Sequence, residues 1–150
     1  MHSATDMPTA AKWLGALGAI PFVILSGSGH LHDGPSQEQA TFALVAYGAV
    51  ILSFLGGIHW GLAIAGFGPD GEEGKISGRL VVSVVPSLIG WGALLIPAAA
   101  GLLVLAAGFA AMLLVDLAAT RQTKAPAWYP MLRWPLTLVA VAALALAALA

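Results

Sequence analysis

Charged side chains are scarce in this sequence, and two ionisable groups fall inside long apolar runs. His59 lies in one such run and Asp116 in another. Ionisable groups at membrane depth are costly, and they usually face a bundle interior with a partner. Histidine can also exchange a proton near neutral pH. These two residues could therefore form a hydrogen-bonded tie between helices, a proton relay, or a site for the headgroup of a small molecule.

The composition excludes an ordinary soluble domain. Of 150 residues, 59% are hydrophobic and 9% are charged, whereas soluble domains carry about 25% charged residues. Apolar runs of about 18 residues or more recur, and each is long enough to cross the hydrocarbon of a bilayer. The formal net charge of −1 provides no basic face for nucleic acid. The sequence contains no cysteine, so disulfides and thiolate metal sites are excluded.

The apolar runs predict an all-α integral membrane bundle of five transmembrane helices in a single domain, residues 1–150. Gly, Pro and polar residues interrupt the apolar runs. They place the helices at about 9–26, 37–67, 78–96, 98–120 and 133–150. Ser36 begins a capping-box pattern with Gln39. Pro97 must lie in a tight hairpin, since helices 3 and 4 as one rod would measure about 63 Å.

Five spans place every basic residue on one side of the membrane. These residues are Lys12, Lys75, Arg79, Arg121, Lys124 and Arg133. The positive-inside rule then predicts a cytoplasmic N-terminus and a periplasmic C-terminus. The sequence shows no Arg-rich, Ser-rich leader, which favours the inner membrane of a bacterium over a mitochondrial precursor.

The same topology brings His59 and Asp116 to a similar depth, because helices 2 and 4 both run towards the cytoplasmic side. Contact between them is geometrically possible, and the carboxylate could equally pair with a nearby guanidinium. The predicted intramembrane polar cluster contains His59, Trp60, Asp116, Arg79, Arg121 and Arg133. A structural tie between helices and a functional site both remain open.

A stripe of small residues follows one face of helix 2 at steps of four. Its members are Ala49, Ser53, Gly57, Gly61 and Ala65. Small residues let membrane helices approach closely. The stripe therefore predicts a helix-packing surface, used either inside the bundle or against another membrane protein or a second copy.

No residue is predicted to be catalytic, and no metal or cofactor is predicted. Nucleophile elbows, zinc-binding His-Glu-x-x-His pairs and phosphate-binding loops do not occur. His59 would lack a second histidine within the hydrocarbon for a bis-histidine haem. His30-Leu31-His32 lacks a firm third metal ligand, and the acidic run from Asp70 to Glu73 fits a solvated turn.

Several motifs resemble the transmembrane protein 69-like family of bacterial and mitochondrial inner-membrane proteins. They are Pro21-Phe22, Ser53-Phe54-Leu55-Gly56-Gly57-Ile58-His59-Trp60-Gly61, Trp128-Tyr129, Leu132-Arg133 and Leu136-Thr137. The resemblance implies a small multi-span membrane protein and brings no established activity. Size and the small-residue stripe favour an accessory or assembly factor, and the alternative is a small-molecule or proton carrier, or an enzyme, built around His59 and Asp116.

Overall fold

The computed structural model describes residues 6–31, 34–66 and 73–150, and these form five α-helices. The helices are α1 (Thr9–Leu31), α2 (Pro35–Ile64), α3 (Glu73–Ala93), α4 (Ala98–Arg121) and α5 (Tyr129–Ala148). No strand occurs within these ranges. The predicted all-α class is therefore confirmed.

The predicted start of α2 at a capping box is wrong. Gly34 is the N-cap residue, with φ 72°, and no side chain caps the helix. Pro35 occupies the first turn instead, where its missing N–H and fixed φ suit a helix start. Ser36 consequently lies inside the helix and not before it.

Other helix ends differ from prediction by about one turn. The small residues from Ser26 onwards do not end α1, which continues to Leu31, and Ser28 donates to the carbonyl of Ile24 within it. The start of α5 lies at Tyr129, one turn before the predicted start, so Arg133 lies inside the helix. The predicted break at Pro97 is confirmed, since α3 ends at Ala93 and Pro97 precedes α4.

The five helices form a closed ring in chain order, and α2 and α4 also contact each other across it. Consecutive helices run antiparallel: Gly56 of α2 lies against Ser83 of α3, and Ala49 lies against Gly90. Helix α5 closes the ring against α1, where Leu132 contacts Gly15. One end of the bundle therefore holds the starts of α1, α3 and α5 and the ends of α2 and α4.

Leucine and phenylalanine side chains from the α2–α4 contact fill the centre of the bundle. Leu44, Leu52, Leu105 and Phe109 are almost completely buried. Glycines permit this contact, since a Cβ on Gly48 would lie 3.0 Å from Leu105 Cδ1 and one on Gly108 would lie 2.8 Å from Leu52 Cδ2. The core thus depends on small residues facing large ones.

Four of the helices within the described ranges are long and apolar enough to cross a membrane, judged by length and composition. They are α1, α2, α4 and α5. Large apolar side chains are exposed on the outside of the bundle, among them Phe54, Trp91 and Leu138. Hydrocarbon can cover such a surface, whereas water cannot do so without a large cost.

Candidate functional site

One buried carboxylate joins three helices. Asp116 of α4 is completely buried, and its two oxygens have different partners. Oδ1 lies 2.7 Å from Nε2 of His59 in α2, and Oδ2 accepts a 2.5 Å hydrogen bond from Nε of Arg133 in α5. The cluster of Asp116, His59 and Arg133 is called the ion cluster below.

The ring topology places all three residues at the same depth. His59 and Asp116 each lie five residues before the end of their helix, and Arg133 lies four residues after the start of α5. These helix ends are at the same end of the bundle. Each side chain is therefore about 6–8 Å along its helix from that end.

Charge balance in the ion cluster comes mainly from the arginine. Arg133 is buried beside Asp116, so each group replaces the water that the other loses on burial. An unpaired buried charge is strongly unfavourable, and a guanidinium that donates to the carboxylate offsets much of that cost. His59 is only slightly exposed, and its Nε2 is the partner of the other carboxylate oxygen, Oδ1.

Three buried polar atoms around the ion cluster make no hydrogen bond of standard geometry among the described residues. They are Nη2 of Arg133, the hydroxyl of Tyr129 and the hydroxyl of Thr137. The three residues follow each other at steps of four on α5, so they share one face of that helix. The Tyr129 hydroxyl nevertheless lies within hydrogen-bonding range of the Asp116 carboxylate, which can act as its acceptor, and it is also near the charge of Arg133.

The ion cluster lies between two cavities. An apolar cavity of about 490 Å³ between α1, α2 and α5 has Tyr129 and Arg133 in its wall. A smaller crevice of about 250 Å³ between α2, α3 and α4 is lined by His59, Arg79 and Lys124, among others. Asp116 therefore connects Arg133, in the wall of the apolar cavity, with His59, in the wall of the crevice.

The structure brings together only part of the predicted polar cluster. His59, Asp116 and Arg133 are in contact, and Arg79 lies beside His59 in the crevice. Trp60 and Arg121 are exposed and take no part in the ion cluster. Trp60 lies one residue from His59, and adjacent residues on a helix point in directions about 100° apart.

Sequence reasoning missed Tyr129 and Thr137 as residues of this site. The prediction placed the start of the fifth helix at Arg133, which left Tyr129 in a loop as an interfacial anchor. The i, i+4, i+8 spacing of Tyr129, Arg133 and Thr137 is the signal that could have found them. Recognising it required Pro130 to be assigned to the first turn, where it is tolerated.

The two halves of the small-residue stripe lie in different environments, one packed inside the bundle and the other exposed. Ala49 is buried against Gly90, and Ser53 donates to the carbonyl of Ala49 in its own helix. Gly57, Gly61 and Ala65 are exposed, and a Cβ on either glycine would meet no atom within 4 Å. Internal packing therefore does not explain the second half of the stripe, and Gly56 supplies the close contact with α3.

The loop predictions fall largely outside the described residues. His32 and the run from Asp70 to Glu72 belong to the stretches that the structure does not describe. In the remainder of the chain, no group of three His, Asp or Glu side chains is arranged to hold a metal ion.

These features define a helical membrane protein with a buried ion cluster at one end of its bundle. The model of the family described as "Protein of unknown function (DUF3429)" matches residues 7–149. The chain belongs to this family. No solved structure matches it.

A curated relative is "Transmembrane protein 69" of Xenopus tropicalis, which is 42% identical over 141 residues. The match covers 91% of this chain and 52% of the relative. The chain thus spans about half the length of that curated relative. The resemblance to the transmembrane protein 69-like family is confirmed.

Replacing Asp116 by Asn tests the stabilising role of the ion cluster. Asn keeps the shape but removes the negative charge, which leaves the buried Arg133 guanidinium uncompensated. We expect a loss of about 3–5 kcal/mol in unfolding free energy. Thermal unfolding in detergent, followed by circular dichroism, measures the effect. The control is Glu38→Gln on the exposed first turn of α2; an equal midpoint for both variants would contradict this role.

Proposed function

We propose that this protein binds a small membrane-soluble molecule in the cavity between α1, α2 and α5. The observation that carries the proposal is an apolar cavity of about 490 Å³ whose wall includes Tyr129 and Arg133, beside the ion cluster. The sequence by itself favours an accessory role. The cavity beside the ion cluster is our reason for placing ligand binding first.

The size of the cavity supports ligand binding. The cavity volume of about 490 Å³ lies in the range of about 300–1,000 Å³ that is usual for small-molecule sites.

The composition of the cavity wall supports the same proposal. Apolar side chains such as Leu14, Phe22 and Ile58 form most of it, and the polar groups are concentrated at the α5 side. Ligand sites commonly combine apolar walls with a few placed polar groups. On the other side of Asp116, His59 faces the crevice, so a bound headgroup would be electrostatically coupled to that crevice through the ion cluster.

An accessory role is the second candidate function. Gly57 and Gly61 leave an exposed, smooth strip on α2 next to the exposed Trp60. Close approach at small residues is a common mode of association between membrane helices. The partner would be another membrane protein or a second copy of this chain, and this role is compatible with ligand binding.

We also propose that α3 crosses the membrane as a fifth span. Its antiparallel contacts with α2 run from Gly56–Ser83 to Ala49–Gly90, so it lies alongside a helix that is long enough to span. The basic residues then belong to one end of the bundle. The positive-inside rule makes that end cytoplasmic, with the N-terminus cytoplasmic and the C-terminus periplasmic, in the inner membrane of a bacterium.

The two tyrosines of the chain provide a matched test of ligand binding. Tyr129→Phe alters a residue in the cavity wall, whereas Tyr47→Phe removes a hydroxyl that donates to the carbonyl of Gly18 and lies outside that wall. Native mass spectrometry of gently extracted protein should show a small-molecule adduct that is depleted only in Tyr129→Phe. An adduct of equal intensity in both variants, or none in wild type, would argue against the proposal.

Gly57→Leu and Gly56→Leu separate an external contact from an internal one. Gly57 is open, so the Leu variant should fold normally and lose a copurifying partner. Gly56 faces the Ser83 carbonyl and Pro86 closely, so its Leu variant should unfold at a lower temperature. Unchanged copurification with a folded Gly57→Leu variant would remove the accessory role of this strip.

Single introduced cysteines can test the topology, because the chain has none of its own. Ser36→Cys and Ile96→Cys should react with an impermeant maleimide in intact spheroplasts. Gln122→Cys should react only after the cells are opened. Protection of Ile96→Cys in intact spheroplasts would rule out α3 as a span in this orientation.

A further inference from the structure

We propose that the cavity between α1, α2 and α5 holds one hydrocarbon chain of an anionic phospholipid, whose headgroup lies at the basic end of the bundle. The basic end is the end that contains the starts of α1, α3 and α5, together with Lys12, Arg79, Arg121 and Lys124. This inference rests on the proposed binding function and names the chemical class of the ligand.

The cavity is about as long as one leaflet of a bilayer is thick. The residues in its wall lie within 11–22 of α1, 51–62 of α2 and 129–140 of α5. Each of these stretches rises by about 16 Å along its helix. The hydrocarbon of one leaflet is about 15 Å thick, half of the bilayer core. A lipid chain that lies parallel to the helices therefore matches the cavity in length.

The long axis of the cavity runs from the basic end towards the centre of the bundle. Trp128, which precedes α5, lies in the wall at the basic end. Phe22 and Phe109 lie in the wall at the inner end, where their rings contact each other edge-on. Tyr47 joins α1 to α2 at about this depth, since its hydroxyl donates to the carbonyl of Gly18. This direction is that of a lipid chain whose head is at the surface.

Hydrocarbon fits the cavity wall better than water does. The polar atoms of Arg133 and Tyr129 are turned to Asp116, since Arg133 Nε donates to it and the Tyr129 hydroxyl lies within hydrogen-bonding range. A buried water needs about two to four polar partners, and an empty space forfeits dispersion contacts. Leu14 of α1 and Phe54 of α2 are exposed members of the wall, so a chain can enter from the bilayer.

The volume of the cavity suits one lipid chain and excludes a protein helix. An α-helix with its side chains is about 10–12 Å across, so a length of about 16 Å occupies about 1,250 Å³ or more. The cavity has a volume of about 490 Å³. Over a length of about 16 Å this volume corresponds to a channel about 6 Å across. A second copy of the chain or another membrane protein therefore cannot place a helix there.

The charge at the basic end favours an anionic headgroup. Lys12, Arg79, Arg121 and Lys124 are exposed or half-buried at this end. Among the described side chains outside the ion cluster, Asp6 is the one acidic group there. A basic side chain near the membrane surface strengthens binding of an anionic lipid about fivefold. A negatively charged phospholipid thus complements both the apolar cavity and the charge at its end.

Filling the cavity without altering the basic residues tests the inference. Ala19→Phe places a ring in the cavity wall, and Ala19→Leu places a smaller side chain there. Ala16→Phe is the matched control, because Ala16 is an exposed residue of the same helix outside the wall. The full chain is delipidated in detergent and titrated with dioleoylphosphatidylglycerol or with zwitterionic dioleoylphosphatidylcholine. Native mass spectrometry counts the bound lipids, and circular dichroism checks the fold of each variant.

In wild type we expect one phosphatidylglycerol to bind at least tenfold more tightly than any further copy. It should also bind at least fivefold more tightly than phosphatidylcholine. Ala19→Phe should weaken this first binding event at least tenfold, and Ala16→Phe should bind as wild type does. If Ala19→Phe loses its helical signal, Ala19→Leu takes its place, with weakening in the same direction.

The contrary outcomes separate the ligand class from the binding function. Equal binding of phosphatidylglycerol by folded Ala16 and Ala19 variants would place the lipid outside the cavity and overturn the inference. Equal affinity for phosphatidylcholine would overturn the anionic headgroup. A native adduct that is lost only on substitution of Ala19, and whose mass is not that of a phospholipid, would overturn the lipid class and leave the proposed function standing. If neither phosphatidylglycerol nor a native adduct depends on Ala19, the proposed function fails together with this inference.

Discussion

The arrangement of this bundle depends on the burial of one carboxylate. Asp116 has no contact with solvent, so both of its oxygens must find partners inside the protein. His59 and Arg133 supply them from two other helices. Because each bond is short and directional, it fixes the relative depth and rotation of α2, α4 and α5 at one end of the bundle. Apolar packing alone is non-directional and would tolerate small shifts between these helices.

Close approach of the backbones makes that geometry accessible. Gly48 and Gly108 let large side chains of the opposite helix fill the α2–α4 contact, and this contact holds His59 beside Asp116. On the other flank, Gly56 and Gly90 bring α3 against α2. Glycine costs conformational entropy in a helix interior, and here the loss is offset by packing that longer side chains would prevent. Tight packing at the centre thus supports a polar cluster towards one end.

The ion cluster satisfies Asp116 fully but leaves part of α5 unsatisfied. Arg133 uses its Nε on the carboxylate, while its Nη2 makes no hydrogen bond among the described residues. A buried donor without a partner costs free energy, so a purely structural tie gains nothing from it. The family to which the chain belongs has no assigned activity, and the ion cluster with its neighbouring cavity is the feature of this chain that can be tested.

The amino-acid sequence by itself determined the membrane class, the helical composition, the break at Pro97 and the shared depth of His59 and Asp116. Those features depend on hydrophobicity, on proline and on length along the chain, all of which are local. Only the tertiary structure decided that Arg133 and not Arg121 pairs with Asp116, that Tyr129 joins the site, and that Gly56 packs inside while Gly57 faces outwards. These choices depend on the rotation of each helix about its axis, where a step of one residue turns a side chain by about 100°. Packing among all five helices sets that rotation, and no single segment of sequence contains it.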